Sequence, residues 1–343
     1  MTQPKITLRD VARQVGVHPS TVSRVLNPDT RDMVTPEIAR RVIEAARQLS
    51  YHPNPFAYSL KTNRSLLVGV LVPDLVNPIF PPIIRGIESV LEAAGYTSIV
   101  ANSDGHAERE RVILERMKER QVDGLILATA QRDDATIIRT REEGVPLVLV
   151  NRTVESTPVE AVVIEDRAGI RLAVEHLTAL GHRRIAHLAG PQDVSTGHRR
   201  REGFLAVLRD LGMDATAAPI EPCAAYTEEE GRRGLLALLD RGTPFTALVA
   251  ANDLLALGCY DALEERGLRC PEHLSVTGFN DMPMVGKLSP PLTTVHIPLY
   301  DMGAEAARML LAQLQGAGVP PRTVSLQPRL IVRKSTGPVP AAR

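Results

Sequence analysis

The chain has no tryptophan, and five phenylalanines with six tyrosines leave aromatic residues at 3% of its 343 positions. Its core must therefore be aliphatic, and 44% hydrophobic residues suffice for one without metals or disulfides. Cysteine is scarce too. Cys223, Cys259 and Cys270 are odd in number and nowhere spaced C-x-x-C, which argues against a disulfide framework or a zinc site and for a reducing cytoplasm. Apolar runs such as Leu66–Pro73 and Leu147–Val150 have the length of strands, and residues 1–20 mix charged with apolar positions. Neither a membrane span nor a signal peptide is expected. Catalytic signatures are missing as well, with no G-x-S-x-G, G-x-x-x-x-G-K-[ST], H-E-x-x-H or G-x-G-x-x-G. His176, His182, His187 and His198 lack metal-ligand spacing and read as surface or capping residues. No enzyme, catalytic residue, metal site or cofactor is expected.

Charge is present but unevenly placed. Lys plus Arg and Asp plus Glu both number 40, yet residues 1–62 hold nine basic and five acidic residues, leaving 31 and 35 for the rest. A positive head on a slightly negative body suits a phosphate-binding module joined to a soluble sensor.

The head reads as helices. Thr7 and Asp10 can form a capping box, Leu8, Val11, Ala12 and Val15 share one face, and Gly16 supplies a left-handed stop. A second helix begins at once, with His18 as N-cap and Pro19 in its first turn. Val17, Val22, Val25 and Leu26 pack back, which leaves Pro19, Ser20, Ser23 and Arg24 outward. Two short helices about a glycine turn are either a plain helical hairpin or a helix-turn-helix that lays its second helix in the major groove. In the second case Arg24 is the base reader, its fork matching a guanine edge, and Ser20, Thr21 and Ser23 serve phosphates or short base contacts. A third helix runs from cap Thr35 to Leu49, with Ile38, Val42, Ala45, Ala46 and Leu49 inward. Asn54-Pro55 can start a further two turns, too few to hold alone in water.

From Leu66 on, strands (66–72, 97–101, 124–128, 147–150, 162–164, 185–189, 247–250, 275–277) alternate with helical stretches such as 83–94 and 108–120. That alternation predicts parallel sheets with helices on both faces, hence an α/β body. In two such lobes a ligand lies beyond the carboxyl ends of the strands. Polar residues gather there: Asp74 and Asn77, Asn151 and Arg152, the turn from Gly190 to Gly197 leading to Arg200, then Asn252 and Asn280, with Phe80 as an aromatic platform. Amides that donate and accept, and an arginine that spans two vicinal oxygens, suit a polyhydroxylated ligand. Each of them can also serve as a structural cap or a salt-bridge partner. Glu228-Glu229-Glu230 and Asp133-Asp134 read as acidic helix starts.

The strings Thr7-Leu8-Arg9-Asp10-Val11-Ala12, Ser20-Thr21-Val22-Ser23-Arg24-Val25-Leu26-Asn27, Tyr51-His52-Pro53-Asn54, Gly181-His182-Arg183-Arg184-Ile185-Ala186 and Gly278-Phe279-Asn280-Asp281 resemble the LacI family of transcriptional regulators, and the resemblance spans the chain. It implies an N-terminal all-α helix-turn-helix domain (1–53), a hinge helix and linker (54–64), and a two-lobed sensor (65–338) like a periplasmic binding protein. The N-lobe would comprise about 65–163 and 294–320, the C-lobe about 164–293 and 321–338, with crossings near 164, 293 and 321. The implied DNA-contacting set is Thr7, Pro19, Ser20, Thr21, Ser23, Arg24, Asn27, Tyr51, Asn54, Ala57 and Leu60. Leu60 would wedge the central base step of a palindromic operator, where small Ala57 lets two hinge helices meet. The implied effector set is Asp74, Asn77, Phe80, Asn151, Arg152, Thr196, Arg200, Asn252 and Asn280. Three positions depart from the family pattern: Tyr58 in the hinge, Pro19 on the second helix, and Asn280, an aspartate in other members. Without an added leucine-heptad helix after Leu330–Arg333, a homodimer is expected. A cytoplasmic repressor that binds double-stranded operator DNA and a carbohydrate-like effector, with no membrane partner, is the resulting expectation. An exported solute-binding protein would share the sensor but lack the head.

Overall fold

In the computed structural model, which describes residues 6–51, 64–316 and 320–339, Asp10 closes the capping box of the first helix. Its carboxylate accepts from the Thr7 amide at 2.9 Å and the Thr7 hydroxyl at 2.6 Å. Helix α1 (Leu8–Val15) ends at Gly16, whose φ of 73° lies where a side chain would be strained. Helix α2 (Pro19–Leu26) follows, capped by the His18 ring, which accepts from the Ser20 amide. A 3-10 turn (Pro28–Met33) leads to α3 (Pro36–Gln48). Val11, Val15, Val22, Val25, Val42, Ala45 and Ala46 form the core of this unit, with Ile38, Leu49 and Tyr51 packed at its edge. Two guanidiniums tie the helices by taking backbone carbonyls: Arg31 Nε donates to Val25 O at 2.9 Å and Arg41 to Val15 O at 2.8 Å. Asn54, Ala57, Tyr58 and Leu60, and with them the expected hinge helix, lie outside the described residues.

Residues 66–343 form the second unit. Its strands are β1 (Leu67–Val72), β2 (Thr97–Asn102), β3 (Gly124–Leu127), β4 (Leu147–Val150), β5 (Ala161–Ile164), β6 (Ile185–Ala189), β7 (Ile220–Pro222), β8 (Ala247–Ala250), β9 (Ser275–Asn280), β10 (Thr293–His296), β11 (Thr323–Leu326) and β12 (Arg329–Ile331). Between them run α4 (Phe80–Ala93), α5 (Ala107–Glu119), α6 (Ala135–Glu142), α7 (Asp166–Ala179), α8 (Ser195–Asp210), α9 (Glu228–Asp240), α10 (Asp253–Glu265) and α11 (Leu299–Leu314). Two six-stranded sheets result, ordered β11-β5-β4-β3-β1-β2 and β12-β10-β9-β8-β6-β7, parallel except for β12 on β10. The α/β architecture of two parallel-sheet lobes with a helical head is thus in place. Central strands β3, β4, β5, β6, β8 and β9 are buried from end to end, as parallel strands covered on both faces must be.

Several expectations shift. The chain changes sheet after Ile164, after His296 and after Leu326, so the boundaries placed at 293 and 321 come too early. The cause is pairing: Thr293–His296 extends β9 in the second lobe, and Thr323–Leu326 extends β5 in the first. Strands β7, β11 and β12 are half-exposed edges with no apolar run to reveal them, and β10 opens on Thr293-Thr294. Both threonines are buried, satisfied by the Arg333 amide and the Asp253 carboxylate. Helix α4 starts before Ile83 because Pro81 and Pro82 occupy a first turn whose amides need no partner. His182 and His187 are not surface residues but fully buried. His182 bridges Thr246 Oγ1 and Gly337 O, whereas His187 stacks on Phe204 with ring centroids 4.8 Å apart. Burial pushes the His187 pKa down to about 4, so its ring is neutral at pH 7. Among the described residues no helix is long and apolar enough to cross a membrane.

Candidate functional site

On the head, Ser20 and Arg24 stand exposed on α2, with Pro19, Thr21, Ser23 and Asn27 partly covered beside them. Ser20 Oγ lies 2.8 Å from His18 Nδ1, which anchors the helix start. Arg24 forms no ion pair among the described residues, while its carbonyl accepts from Thr30. Its guanidinium stands exposed on a firmly seated short helix. Thr7 is exposed at the start of α1, its side chain committed to Asp10. Tyr51 packs its ring on the core edge, and burial raises its phenol pKa.

In the body, the carboxyl ends of the strands from both lobes surround a partly open cavity of about 20 Å³. Asn77 and Phe80 come from the segment after β1, and Asn151 with Arg152 from the end of β4. Facing them across the lobes are Thr196 and Arg200 on α8, Asn252 at the start of α10, and Asn280 at the end of β9. Asn151 and Asn280 have φ of 67° and 116°, a region that asparagine enters more readily than bulkier residues. Both turn sharply where their strands stop, which puts their amides into the cavity wall.

Asp74 is the one expected effector residue not brought to this wall. It is exposed, and its carboxylate accepts from the Val76 amide at 2.9 Å in a local turn. Two wall residues went unforeseen: Ile79 and Tyr226. Tyr226 precedes the Thr227 cap of α9, and its hydroxyl donates to Thr196 Oγ1 at 3.2 Å. Its ring passes over Gly190, where a Cβ would stand 2.4 Å from Tyr226 Cζ. A glycine at the end of β6 was the available signal.

Electrostatics divide the two cavity arginines. Arg200 Nε donates to Asp166 Oδ1 at 2.8 Å, its Nη1 donates to Ala251 O at 2.7 Å, and its Cζ lies 3.8 Å from the Phe279 ring centroid. Burial pushes the Asp166 pKa up and Arg200 opposes that push. Asn252 is partly committed too, since its Oδ1 caps α10 by accepting from Leu255 N at 2.9 Å. Arg152 as a residue is partly exposed, yet its Nε is closed off from solvent with no hydrogen-bond partner, and burial lowers its pKa. Asn280 Oδ1 is likewise buried and unpaired. Behind the wall, burial raises the pKa of Glu110 to about 7, with Thr129 Oγ1 donating to it at 2.6 Å. Asp253, held by Met282 N at 2.7 Å and by the Thr294 hydroxyl, is raised by burial to about 7. Among the described residues no cluster of His, Cys, Asp or Glu could hold a metal ion.

Helix-turn-helix head and two-lobed body together define a DNA-binding transcriptional regulator. Residues 7–54 match the family described as bacterial regulatory proteins, lacI family, and residues 174–336 match a periplasmic binding protein-like domain. The ribose operon repressor of Halalkalibacterium halodurans is 34% identical over 96% of this chain and 97% of its own length. A lac repressor dimer bound to operator and the anti-inducer ONPF superposes with a TM-score of 0.87 at 29% identity, covering 97% of this chain and all of that one. A ribose-bound regulator from Enterococcus faecium gives 0.71 at 32% identity over 80% of this chain and 99% of its own. The chain belongs to the lacI family of bacterial regulatory proteins.

Proposed function

We propose that the chain acts in the cytoplasm as a homodimeric repressor whose hold on a palindromic operator is set by a sugar or sugar derivative bound between the lobes. The observation that supports this most directly is the cavity, into which residues 77–80 and 151–152 of one lobe and 196–280 of the other send amides, hydroxyls and guanidiniums. Ribose is the first compound to try, since one relative is named for the ribose operon and one similar structure holds ribose.

In this reading residues 1–53 dock α2 in the major groove. Arg24 reads a base edge, Ser20, Thr21 and Ser23 take phosphates or short base contacts, and Thr7, Pro19, Asn27 and Tyr51 sit beside the backbone. Residues 54–64 form the hinge, whose Leu60 wedges the central step with Asn54 and Ala57 alongside. The lobes are tied by the Thr153 amide, which donates to Ser195 Oγ at 3.0 Å, and the Arg132 amide, which donates to Asp193 O at 2.8 Å. A cavity of about 20 Å³ holds roughly one water. A sugar must therefore part these contacts and reset the lobes, and it alters operator affinity only through its different affinities for the two arrangements.

The test is operator binding by the full chain at one stated salt concentration, titrated with ribose, other pentoses, hexoses, sugar acids and nucleosides. A change in operator affinity with one class supports the reading. Unchanged affinity across all of them refutes it.

A further inference from the structure

The cavity wall is unbalanced in charge. It carries two arginines and no acidic side chain. One of the two is neutralised within the protein: Arg200 sits on Asp166 at 2.8 Å, with 3% and 4% of the two side chains exposed. Arg152 has no such partner. It forms no salt bridge among the described residues, and its buried Nε donates to nothing. The carboxylates that face it, Glu110 and Asp193, act only at a distance, and Arg200 repels it. Glu110 is itself buried and engaged by Thr129. Asp193 is exposed.

A guanidinium that buries one N–H with no acceptor, and that no carboxylate pairs, costs the folded protein some stability. Side chains kept at such a cost are typical of binding sites, where the partner arrives with the ligand. The neighbouring positions point the same way. Asn151 and Asn280 present amides at the two strand ends, where carboxylates would have neutralised the guanidinium. Asn280 Oδ1 is a buried acceptor without a donor, which a ligand hydroxyl or N–H would satisfy.

We propose that the effector is an anionic polyol, a carboxylate- or phosphate-bearing sugar derivative, whose charged group pairs with Arg152 while a hydroxyl donates to Asn280 Oδ1. This rests on the reading of the cavity as the effector site and narrows its ligand class. Arg152 then sets specificity and Arg200 serves as a fixed wall element.

The test has two arms on the full chain. In the first, ligand-free Arg152→Met and Arg200→Met are melted beside the wild type at low salt. R152M is expected to melt at or above the wild type, because it removes an unpaired charge, and R200M below it, because it strands Asp166. A fall for R152M as deep as that for R200M would show a structurally paired guanidinium and overturn the proposal. In the second arm, binding of glucose, glucuronate and glucose 6-phosphate, and of ribose and ribose 5-phosphate, is compared in wild type and R152M. One anionic member is expected to bind at least about tenfold more tightly than its neutral counterpart, with the preference lost in R152M. The glucuronate and phosphate arms separate the two sources of charge. A neutral sugar that binds as well as its anionic partner and shifts operator affinity overturns the anionic ligand class while leaving the effector reading intact. If no compound of any class shifts operator affinity, the effector reading fails and this inference with it.

Discussion

Arg200 and Asp166, thirty-four positions apart in sequence, join α7 to α8 through an Nε–Oδ1 contact of 2.8 Å with both side chains almost wholly out of solvent. The guanidinium also lies over Phe279 and donates to the carbonyl of Ala251, the residue before the Asn252 cap. One side chain thus connects two helices, the end of β8 and a core aromatic beneath the cavity. Cleft shape and lobe stability are coupled at this point.

Arg200→Ala should therefore abolish the response to effector and also lower stability, since breaking a buried pair costs about 3–5 kcal/mol. Operator binding by the separate head unit should persist below the melting point. Effector titration of operator affinity together with thermal melting checks both parts, and a variant with full response would remove Arg200 from the site.

Arg24→Ala should relax base preference at one position of each half-site, a loss of about 1–3 kcal/mol of discrimination. Binding to unrelated DNA should fall far less. A selection experiment that returns an unchanged half-site would exclude Arg24 as a base reader.

Gly190→Ala should act as a cavity mutation without touching the cavity wall itself. Its new methyl would stand 2.4 Å from the Tyr226 ring and force that ring aside, breaking the contact with Thr196. Effector affinity should drop to the level of Tyr226→Ala, and the double variant should be no worse than either single one. Additive losses would show that Tyr226 and Gly190 act separately.

Asp253 gives a pH signature. Its folded-state pKa is raised to about 7 by burial, so the folded protein holds a proton that the unfolded chain releases near 3.8. Stability from this group is therefore full at acid pH and falls as pH rises through about 7. Asp253→Asn keeps an acceptor for Met282 N and cannot ionise. The difference in Tm between D253N and wild type should grow from pH 5 to pH 8 in favour of the variant. A flat difference would mean that Asp253 is ionised in the fold throughout.

Much of this was legible in the sequence, for reasons particular residues make plain. Thr7, Asp10 and Gly16 mark α1 because capping and left-handed turns need those chemistries locally. Most central strands were legible because both faces are buried and their runs are largely apolar, as in β3 and β4, whereas β9 carries Ser275 and Thr277. Edge strands β7, β11 and β12 are short and half-exposed, so nothing local distinguishes them. Asn151 and Asn280 could be placed at the cleft because they follow strong strands, whereas Tyr226 follows one of three residues and was missed. Asp74 had the right type and position, but its carboxylate is used by its own turn. The Arg200–Asp166 pair depends on how α7 packs on α8, which no local pattern encodes. Buried His182 and His187 depend likewise on tertiary partners, Thr246 and Val249 among them.

The central claim is that sequence-specific DNA binding by the head is governed by a small molecule in the body. Its most direct test is selection of bound genomic fragments by the full chain at fixed salt, run with and without a pool of cell metabolites. The expected result is one enriched palindrome whose recovery changes when the pool is added, and changes no longer in Arg200→Ala. Enrichment of no motif under either condition, or of one that the pool never alters, would contradict it.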